Sequence, residues 1–453
     1  MDERPIQDAL DFDIAQQAPA KAPRTQKNKN DIAWEQIFAD FDILKKIATQ
    51  GHYIISATTI RTYREPRLMA KYDSSDNLPE IFKKHRLGIL PLSRGTYVIS
   101  HYNVYQECAP STGHIQCMTV PVHLCSISAD QITSEAAAIN AAYVSGILED
   151  FLEEAVVPTV SGRMSSGQFD FDIYNTSTKR MDTHHVDNAQ IEVDGGYESA
   201  NSLALIEAKL HVEADFITRQ LYYPTRLFHS RMGSKRVRPI FLVYTNGIFD
   251  ITEYDFDDIR SYNSVAIRRH QRYSLEPTQI TFEAIMDVFR DTTPVEEPAI
   301  PFPQADSFER VINFCELLML RPFTREEMTI EFGFTDRQMG YYANAARYLG
   351  LLERYDANEG FILSEQGRSI MGQNYVSRQL SLVRCMFRHE PFRKIFEIYM
   401  QMISPPTARH GAQILSGVGI YNVQSEATLE RRARTVISWL RWVMGLCESA
   451  TLF

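Results

Sequence analysis

The spacing of apolar residues divides the first third of the chain into segments of different periodicity. Residues 1–30 show no apolar periodicity and predict a flexible tail. From Asp31 onward, apolar residues recur at helical spacing. Residues 52–127 change to short β-rich runs, including 88–100 and 118–127. We therefore predict an N-terminal mixed α/β module over residues 31–135.

The middle of the chain predicts a sheet flanked by helices. Residues 136–154 form an amphipathic helical pattern, and residues 169–174 alternate strictly, as expected of the first core strand. Residues 203–208 are apolar except for Glu207, which is typical of a strand buried on both faces. We expect Asp215 to cap a helix that is interrupted near Pro224, and further strands at 239–244 and 249–254. The fold class is α/β (α+β), with a core over residues 136–290.

The C-terminal third begins after a Pro-rich segment at 291–305, which we predict to be a linker. Residues 306–375 follow the order of a winged helix, a fold of three helices and a hairpin. The helices are expected at 308–319, 324–332 and 335–349, and the hairpin strands at 352–355 and 360–363. Residues 376–453 form a helical region. Its last helix, expected at 426–446, could be the seam of a dimer or, beside the third helix of the winged helix, a second DNA-reading helix.

Charged residues converge in the segment 191–209. Ala200 and Asn201 make a two-residue turn, because Asn tolerates a positive φ. A hairpin folded there places Asp194 opposite Glu207 and Glu192 opposite Lys209. Because strand side chains alternate between faces, all four charged groups are expected to share one patch.

This patch suits a divalent cation and an attacking water. A carboxylate within an apolar strand is costly unless something neutralises it. Mg²⁺ is held by one or two carboxylates together with water and phosphate oxygens, so Asp194 and Glu207 are a suitable pair. Lys209 could orient or deprotonate the bound water and stabilise charge on a scissile phosphate. The alternative is a surface hairpin held by cross-strand ion pairs, without nuclease chemistry.

The residues of this segment resemble the PD-(D/E)xK nuclease superfamily. Asp194 matches its first acid, the tripeptide Glu207-Ala208-Lys209 its ExK element, and the segment from Gln220 to Tyr223 a supporting Gln-x-x-Tyr element. Val193 stands where the family usually has Pro. Further blocks at 55–57, 64–73, 89–98, 161–170 and 431–442 resemble one group of bacterial type II restriction endonucleases.

The resemblance implies catalytic Asp194, Glu207 and Lys209, with Mg²⁺ on the two acids. Gln220, Tyr223 and Glu192 are expected to support them. In the superfamily, the helix before the sheet sometimes contributes a further acid. The open choices for that acid are Glu149, Glu153 and Glu154.

Possible DNA contacts come from two places. Arg163 lies in a predicted loop of small polar residues beside the site, where it contacts DNA or forms a plain ion pair. The third winged helix usually enters the major groove, although winged helices also serve as protein contacts. Its expected DNA-facing residues are Arg337, Gln338, Tyr341 and Tyr342.

Composition adds broad limits. A chain of 453 residues suggests roughly three domains. The net charge of −10 does not indicate a DNA-binding protein, but a sequence-specific enzyme needs only a local basic cleft. Six cysteines, no N-terminal apolar signal and no apolar run of membrane-spanning length favour a cytoplasmic protein without a membrane segment.

The expected function follows from the resemblance. It implies a Mg²⁺-dependent type II restriction endonuclease that cuts double-stranded DNA at a specific sequence as a homodimer. A companion DNA methyltransferase is implied in the same system. Two alternatives remain open: a winged-helix DNA-binding or regulatory protein with an inert nuclease-like core, and a methylation-dependent or repair nuclease.

Overall fold

The fold is taken from a computed structural model that describes residues 28–111, 113–128, 132–212, 214–324, 327, 336–354, 360–402, 404–421, 423 and 425–448. Three predicted segments lie mostly outside these residues: the N-terminal tail, the second helix of the winged helix except Thr324 and Glu327, and the tip of the winged-helix hairpin. Within the described residues, no helix is both long and apolar enough to cross a membrane.

The N-terminal region packs helices around a small antiparallel sheet of order β1-β3-β2. Its elements are α1 (Lys29–Asp40), α2 (Ile43–Gln50), β1 (Tyr53–Ser56), α3 (Ala57–Arg61), α4 (Pro66–Ala70), a 3-10 helix (Ser75–Asn77), α5 (Glu80–His85), β2 (Gly88–Pro91) and β3 (Thr96–Ser100). Trp34, Phe38 and Phe82 stack edge to face in its core. The helical pattern that starts at Asp31 divides into two helices, because Asp42 adopts a left-handed conformation with φ of 48°.

The prediction of a β-rich run at 118–127 is wrong. That segment contains a turn in which the Leu124 amide donates to the Pro121 carbonyl. Pro121 has no backbone N–H to offer a neighbouring strand. The strands of this region are β4 (Tyr105–Glu107) and β5 (Ile115–Cys117) instead.

Seven of the described strands form a mixed sheet of order β5-β14-β13-β12-β10-β9-β6. Besides β5, its members are β6 (Val157–Ser165), β9 (Gln190–Glu198), β10 (Ser202–Lys209), β12 (Arg236–Thr245), β13 (Ile248–Phe256) and β14 (Val265–Ser274). Strand β10 runs parallel to β12 and antiparallel to β9. Every residue of β10 is buried, so the apolar run around Glu207 is a central strand, as predicted.

Residues 169–174, predicted as the first core strand, lie outside this sheet. They belong to β7 (Gln168–Asn175), which pairs with β8 (Arg180–Asp187) in a two-stranded ribbon. The apolar face of the ribbon still packs on the core through Phe171 and Ile173. Within the predicted core, residues 136–290, the first strand of the sheet is β6, which contains the Ser161-Gly-Arg163 segment that we predicted as a loop.

Helices cover both faces of the sheet. On one face lie α6 (Glu135–Val144) and α7 (Ile147–Leu152), and on the other α8 (Arg219–His229). The helix predicted at 136–154 is thus broken, at Gly146 with φ of 80°. Helix α8 continues through Pro224.

The prediction that Asp215 caps α8 is wrong. Asp215 begins a short strand, β11 (Asp215–Ile217), which pairs with β4. Its carboxylate accepts hydrogen bonds from the Ser74 hydroxyl at 2.7 Å and the Ser75 amide at 2.8 Å. Thr218 precedes α8 without a side-chain cap.

In the described residues of the C-terminal third, helices predominate and one small hairpin is present. It contains α9 (Phe282–Asp291), α10 (Phe308–Leu320), α11 (Asp336–Tyr348), β15 (Leu352–Arg354), β16 (Phe361–Leu363), α12 (Glu365–Met371), α13 (Tyr375–Phe387), α14 (Glu390–Met402), α15 (Ala408–Val418) and α16 (Glu426–Glu448). One apolar core joins these elements. Phe302 and Ala305 of the Pro-rich segment are buried in it, and Trp439 Nε1 donates to the Ala305 carbonyl at 2.6 Å. The segment predicted as a linker therefore packs against the helices, and Trp439 faces the core of its own chain.

Candidate functional site

Strands β9 and β10 form the predicted hairpin in the predicted register. Leu203 pairs with Glu198, and the pairing continues to Ile206 with Gly195. The next step of this register sets Asp194 against Glu207. At this position, a side chain takes the place of a backbone acceptor between the two strands. The Asp194 Oδ2 accepts a hydrogen bond from the Ala208 amide at 2.9 Å. The aspartate is thereby held against the backbone between Glu207 and Lys209.

Two glycines let β9 bend next to Asp194. Val193 packs in the core below α8, whereas Tyr197 packs in the core below α6, although an unbroken strand would put both on one face. A Cβ on Gly196 would lie 2.7 Å from Cβ of Val160, so a larger residue does not fit there. The bend turns Asp194 toward the end of β10.

Glu207 and Lys209 lie on the same face of β10, and each is only 7% exposed. Lys209 Nζ donates to Glu207 Oε1 at 2.7 Å. Gln220, in the first turn of α8, donates from its Nε2 to the same oxygen at 2.5 Å. The site therefore unites one carboxylate from each strand of the hairpin, a buried ammonium and an amide from the covering helix.

Burial dominates the electrostatics of the two acids. It raises the pKa of Glu207 to about 7, with the Lys209 charge opposing this shift and the Asp194 charge adding to it. Burial also raises the pKa of Asp194, against the lowering effect of the Ala208 amide. For Lys209, burial favours the neutral amine, but Glu207, Asp73 and Glu135 outweigh it and raise its pKa. Two desolvated carboxylates side by side are stabilised by a positive charge between them.

The donor set fits a hydrated hard cation. Asp194 and Glu207 provide carboxylate oxygens, and Mg²⁺ usually takes only one or two of these and completes its shell with water and phosphate. Gln220 Oε1 is buried and makes no hydrogen bond within the described part of the chain. The described residues contain no group of three or more His, Cys, Asp or Glu side chains arranged to hold a metal, so they form no closed structural cage.

Two acids that the sequence analysis missed also belong to this neighbourhood. Glu135 is the first residue of α6; burial raises its pKa, Lys209 opposes that shift and Glu207 adds to it. Burial would also raise the pKa of Asp73, but Lys209, Lys71 and Arg219 together lower it. Ser134, which caps α6, marks Glu135 as a helix start. Asp73 lies in a different module and carries no comparable signal.

The three helix acids proposed from sequence do not join the site. Glu149 is exposed on α7. Glu153 Oε1 lies 2.6 Å from Arg269 Nη1, and Glu154 accepts from the Ser199 hydroxyl at the turn of the hairpin. All three lie after the break at Gly146, whereas the helix acid near the site, Glu135, lies in the first turn of α6.

Three further predicted residues make contacts away from the Glu207–Lys209 pair. Glu192 pairs with Arg163 across β9 and β6, with Oε1 and Nε 3.1 Å apart, and does not stand opposite Lys209 as predicted. Arg163 is exposed on a strand and adopts the ion-pair alternative. The Tyr223 hydroxyl donates to the Pro91 carbonyl at 2.8 Å, so Tyr223 supports the packing of α8 and does not touch the two site acids.

The four residues of α11 predicted to enter a DNA groove differ in their burial and contacts. Tyr342 is buried in the C-terminal core at 7% exposure, which is a correction to its prediction as a DNA-facing residue. Gln338 donates to Asp76 of the N-terminal region at 2.9 Å. Tyr341 is half-buried, and the side chain of Arg337 lies outside the described residues.

Comparison with known proteins gives matches to three family models, each described only as a domain of unknown function. They are DUF6996 over residues 31–99, DUF6997 over residues 100–274 and DUF7226 over residues 310–448. No curated protein and no solved structure matches the chain. Asp194, Glu207, Lys209 and Gln220 fall within the second match, whereas Asp73 falls within the first.

Proposed function

We propose that this protein is a Mg²⁺-dependent endodeoxyribonuclease of the type II restriction class, with a PD-(D/E)xK core, that hydrolyses double-stranded DNA at a specific sequence. The observation that carries the proposal is the junction of β9 and β10. Asp194 accepts from the amide of Ala208, and this amide lies between the buried side chains of Glu207 and Lys209.

Asp194 and Glu207 would hold the cation, since they are the paired carboxylates at this end of the sheet. When bound, Mg²⁺ supplies Lewis-acid stabilisation of the phosphate and an activated water. Lys209 contributes an ammonium that stabilises negative charge developing on the phosphate. Gln220 fixes the Glu207 carboxylate by the hydrogen bond to its Oε1.

DNA binding needs cations near the site. Arg219, in the first turn of α8, and Lys71, half exposed near Asp73, supply local positive charge despite the acidic composition. We propose a homodimer because specific cutting sites are commonly two-fold symmetric. A companion methyltransferase belongs to the same proposal, since a host that makes this nuclease needs protected DNA.

The deciding experiment is incubation of the purified protein with unmethylated phage DNA in Mg²⁺. We expect discrete fragments, and sequencing their ends gives the cleavage site. Lys209→Ala is expected to abolish cutting while DNA binding remains, and the exposed Lys84→Ala serves as the matched control that keeps cutting. A methylated copy of the same DNA, digested in parallel, separates a restriction enzyme from a methylation-dependent nuclease.

One outcome would establish the rival function. If the protein shields a DNA site from chemical cleavage but nicks nothing in Mg²⁺ or Mn²⁺, its core is inert and it is a DNA-binding or regulatory protein. Cutting by Lys209→Ala at the wild-type rate would remove the role assigned to that residue.

A further inference from the structure

The short segment that carries Asp73 is fastened to the nuclease-like core by three hydrogen bonds. The Asp73 carbonyl accepts from the Ile217 amide at 2.8 Å. The next two residues, Ser74 and Ser75, both donate to Asp215. Because β11 leads directly into α8, this fastening fixes Asp73 beside the helix that carries Gln220. An acid of the N-terminal region is therefore a fixed part of the site's surroundings.

The two oxygens of Asp73 have different environments. Its Oδ2 lies 3.6 Å from Nζ of Lys71, a side chain that is 50% exposed. Its Oδ1 is buried and makes no hydrogen bond to any described residue. A buried carboxylate oxygen without a donor is costly, so a native structure that keeps one calls for a ligand or a second arrangement that satisfies it.

Lys209 is the cation whose charge acts most strongly on the Asp73 carboxylate. Its ammonium lowers the pKa of Asp73 more than Lys71 does. Glu207 and Asp73 are also the two carboxylates with the largest charge effects on Lys209. An ammonium has three N–H donors, and the one hydrogen bond described for Lys209 goes to Glu207.

The bond between Lys209 and Glu207 conflicts with the proposed cation. Glu207 Oε1 already accepts from both Lys209 and Gln220. A cation bound to either oxygen of this carboxylate repels the ammonium that is hydrogen-bonded to Oε1. Lys209 must then turn to another acceptor that remains within the buried site.

We propose that Asp73 is the positioning residue that receives the Lys209 ammonium when a divalent cation binds Asp194 and Glu207. This inference rests on the proposed function for the identity of the cation site. The N-terminal region thereby completes the site: without Asp73, the ammonium stays on Glu207 and opposes metal binding. Asp73 acts through Lys209 and does not touch the metal.

The test is a double-mutant cycle read by calorimetric titration with Mg²⁺, using full-length Asp73→Asn, Lys209→Met and the double variant. Asp73→Asn is expected to weaken Mg²⁺ binding about tenfold in the wild-type background, the size seen for groups that orient metal ligands. In the Lys209→Met background it should change binding less than about twofold, because no ammonium remains to be moved. Asp73→Glu, which keeps the carboxylate, should restore most of the affinity, and the exposed Glu80→Gln in the same region should have no effect.

The outcomes separate this inference from the proposed function. Equal weakening in both backgrounds would make Asp73 a direct ligand of the cation and overturn the positioning role. Unchanged binding in a folded Asp73→Asn variant overturns it as well. Absence of Mg²⁺ binding by the wild type refutes both proposals, whereas the expected coupling without DNA cleavage refutes only the nuclease.

Discussion

Gln338 of α11 donates a hydrogen bond from Nε2 to Oδ2 of Asp76, 2.9 Å away across 262 positions of sequence. Arg310 Nη1 of α10 lies 3.8 Å from the same oxygen. Asp76 belongs to the 3-10 helix Ser75–Asn77, which begins two residues after Asp73. The C-terminal helices therefore contact the same short segment that supplies an acid to the candidate site, and this part of α11 faces protein.

Removing this contact should weaken the association of the two regions. Gln338→Ala leaves Asp76 without its amide donor, so we expect a loss of about 1 kcal/mol in the free energy of unfolding. Urea denaturation measures it. Gln413→Ala, on the exposed surface of α15, is the matched control and should change stability by less than about 0.5 kcal/mol. Equal effects of the two variants would show that the Asp76 contact adds no stability.

Loss of either proposed metal ligand should abolish cleavage. Asp194→Asn and Glu207→Gln keep the size of the side chain but remove its negative charge, so excess Mg²⁺ should not restore activity. Cleavage of plasmid DNA over a range of Mg²⁺ concentrations checks this. Glu149→Gln, an exposed acid of α7, should behave as wild type. Recovery of Glu207→Gln at high Mg²⁺ would mean that Glu207 only tunes the metal affinity.

The bend at Gly196 should not accept a side chain. A Cβ there would lie 2.7 Å from Cβ and 3.1 Å from the carbonyl oxygen of Val160 on the neighbouring strand. Gly196→Ala is therefore expected to cost about 1–3 kcal/mol in unfolding free energy. The control is Gly417→Ala in α15, where an added Cβ meets nothing within 4 Å. A Gly196→Ala variant as stable as wild type would show that the strand can shift freely.

Stability should fall in mild acid because of His184. The Tyr102 hydroxyl donates to Asp182, so it accepts from His184 Nε2, 2.7 Å away. Burial, with a smaller effect of the His52 charge, lowers the pKa of His184 to about 4. An unfolded histidine titrates near pH 6.5, so between about pH 6.5 and 4 the unfolded chain binds a proton that the folded chain refuses.

The stability that neutral His184 contributes is full above about pH 6.5 and is lost as the pH falls toward 4, by up to about 3 kcal/mol. Urea unfolding of the wild type and of His184→Gln at pH 7.5 and pH 5 measures it. The variant should show the shallower dependence on pH. If the unfolding free energies of the wild type and the variant fell equally between pH 7.5 and pH 5, the acid sensitivity would belong to other groups.

Local pattern was sufficient for the hairpin. The alternation of Glu192, Asp194, Glu207 and Lys209, with a turn at Asn201, predicted the register that β9 and β10 adopt, because strand pairing over a short turn leaves few choices. The same pattern predicted that the run around Glu207 is buried on both faces. It was wrong about Glu192, since β9 bends at its glycines and pairs there with β6.

Only tertiary packing decided which distant residues meet at this hairpin. Asp73 reaches it because the Ser74 hydroxyl and the Ser75 amide donate hydrogen bonds to Asp215. Glu135 reaches it because α6 begins there. Tyr342 is buried because α11 packs against α10 within the C-terminal core. Periodicity along the chain tells which side of a helix or strand avoids water, whereas the partner of that side depends on contacts between segments far apart in sequence.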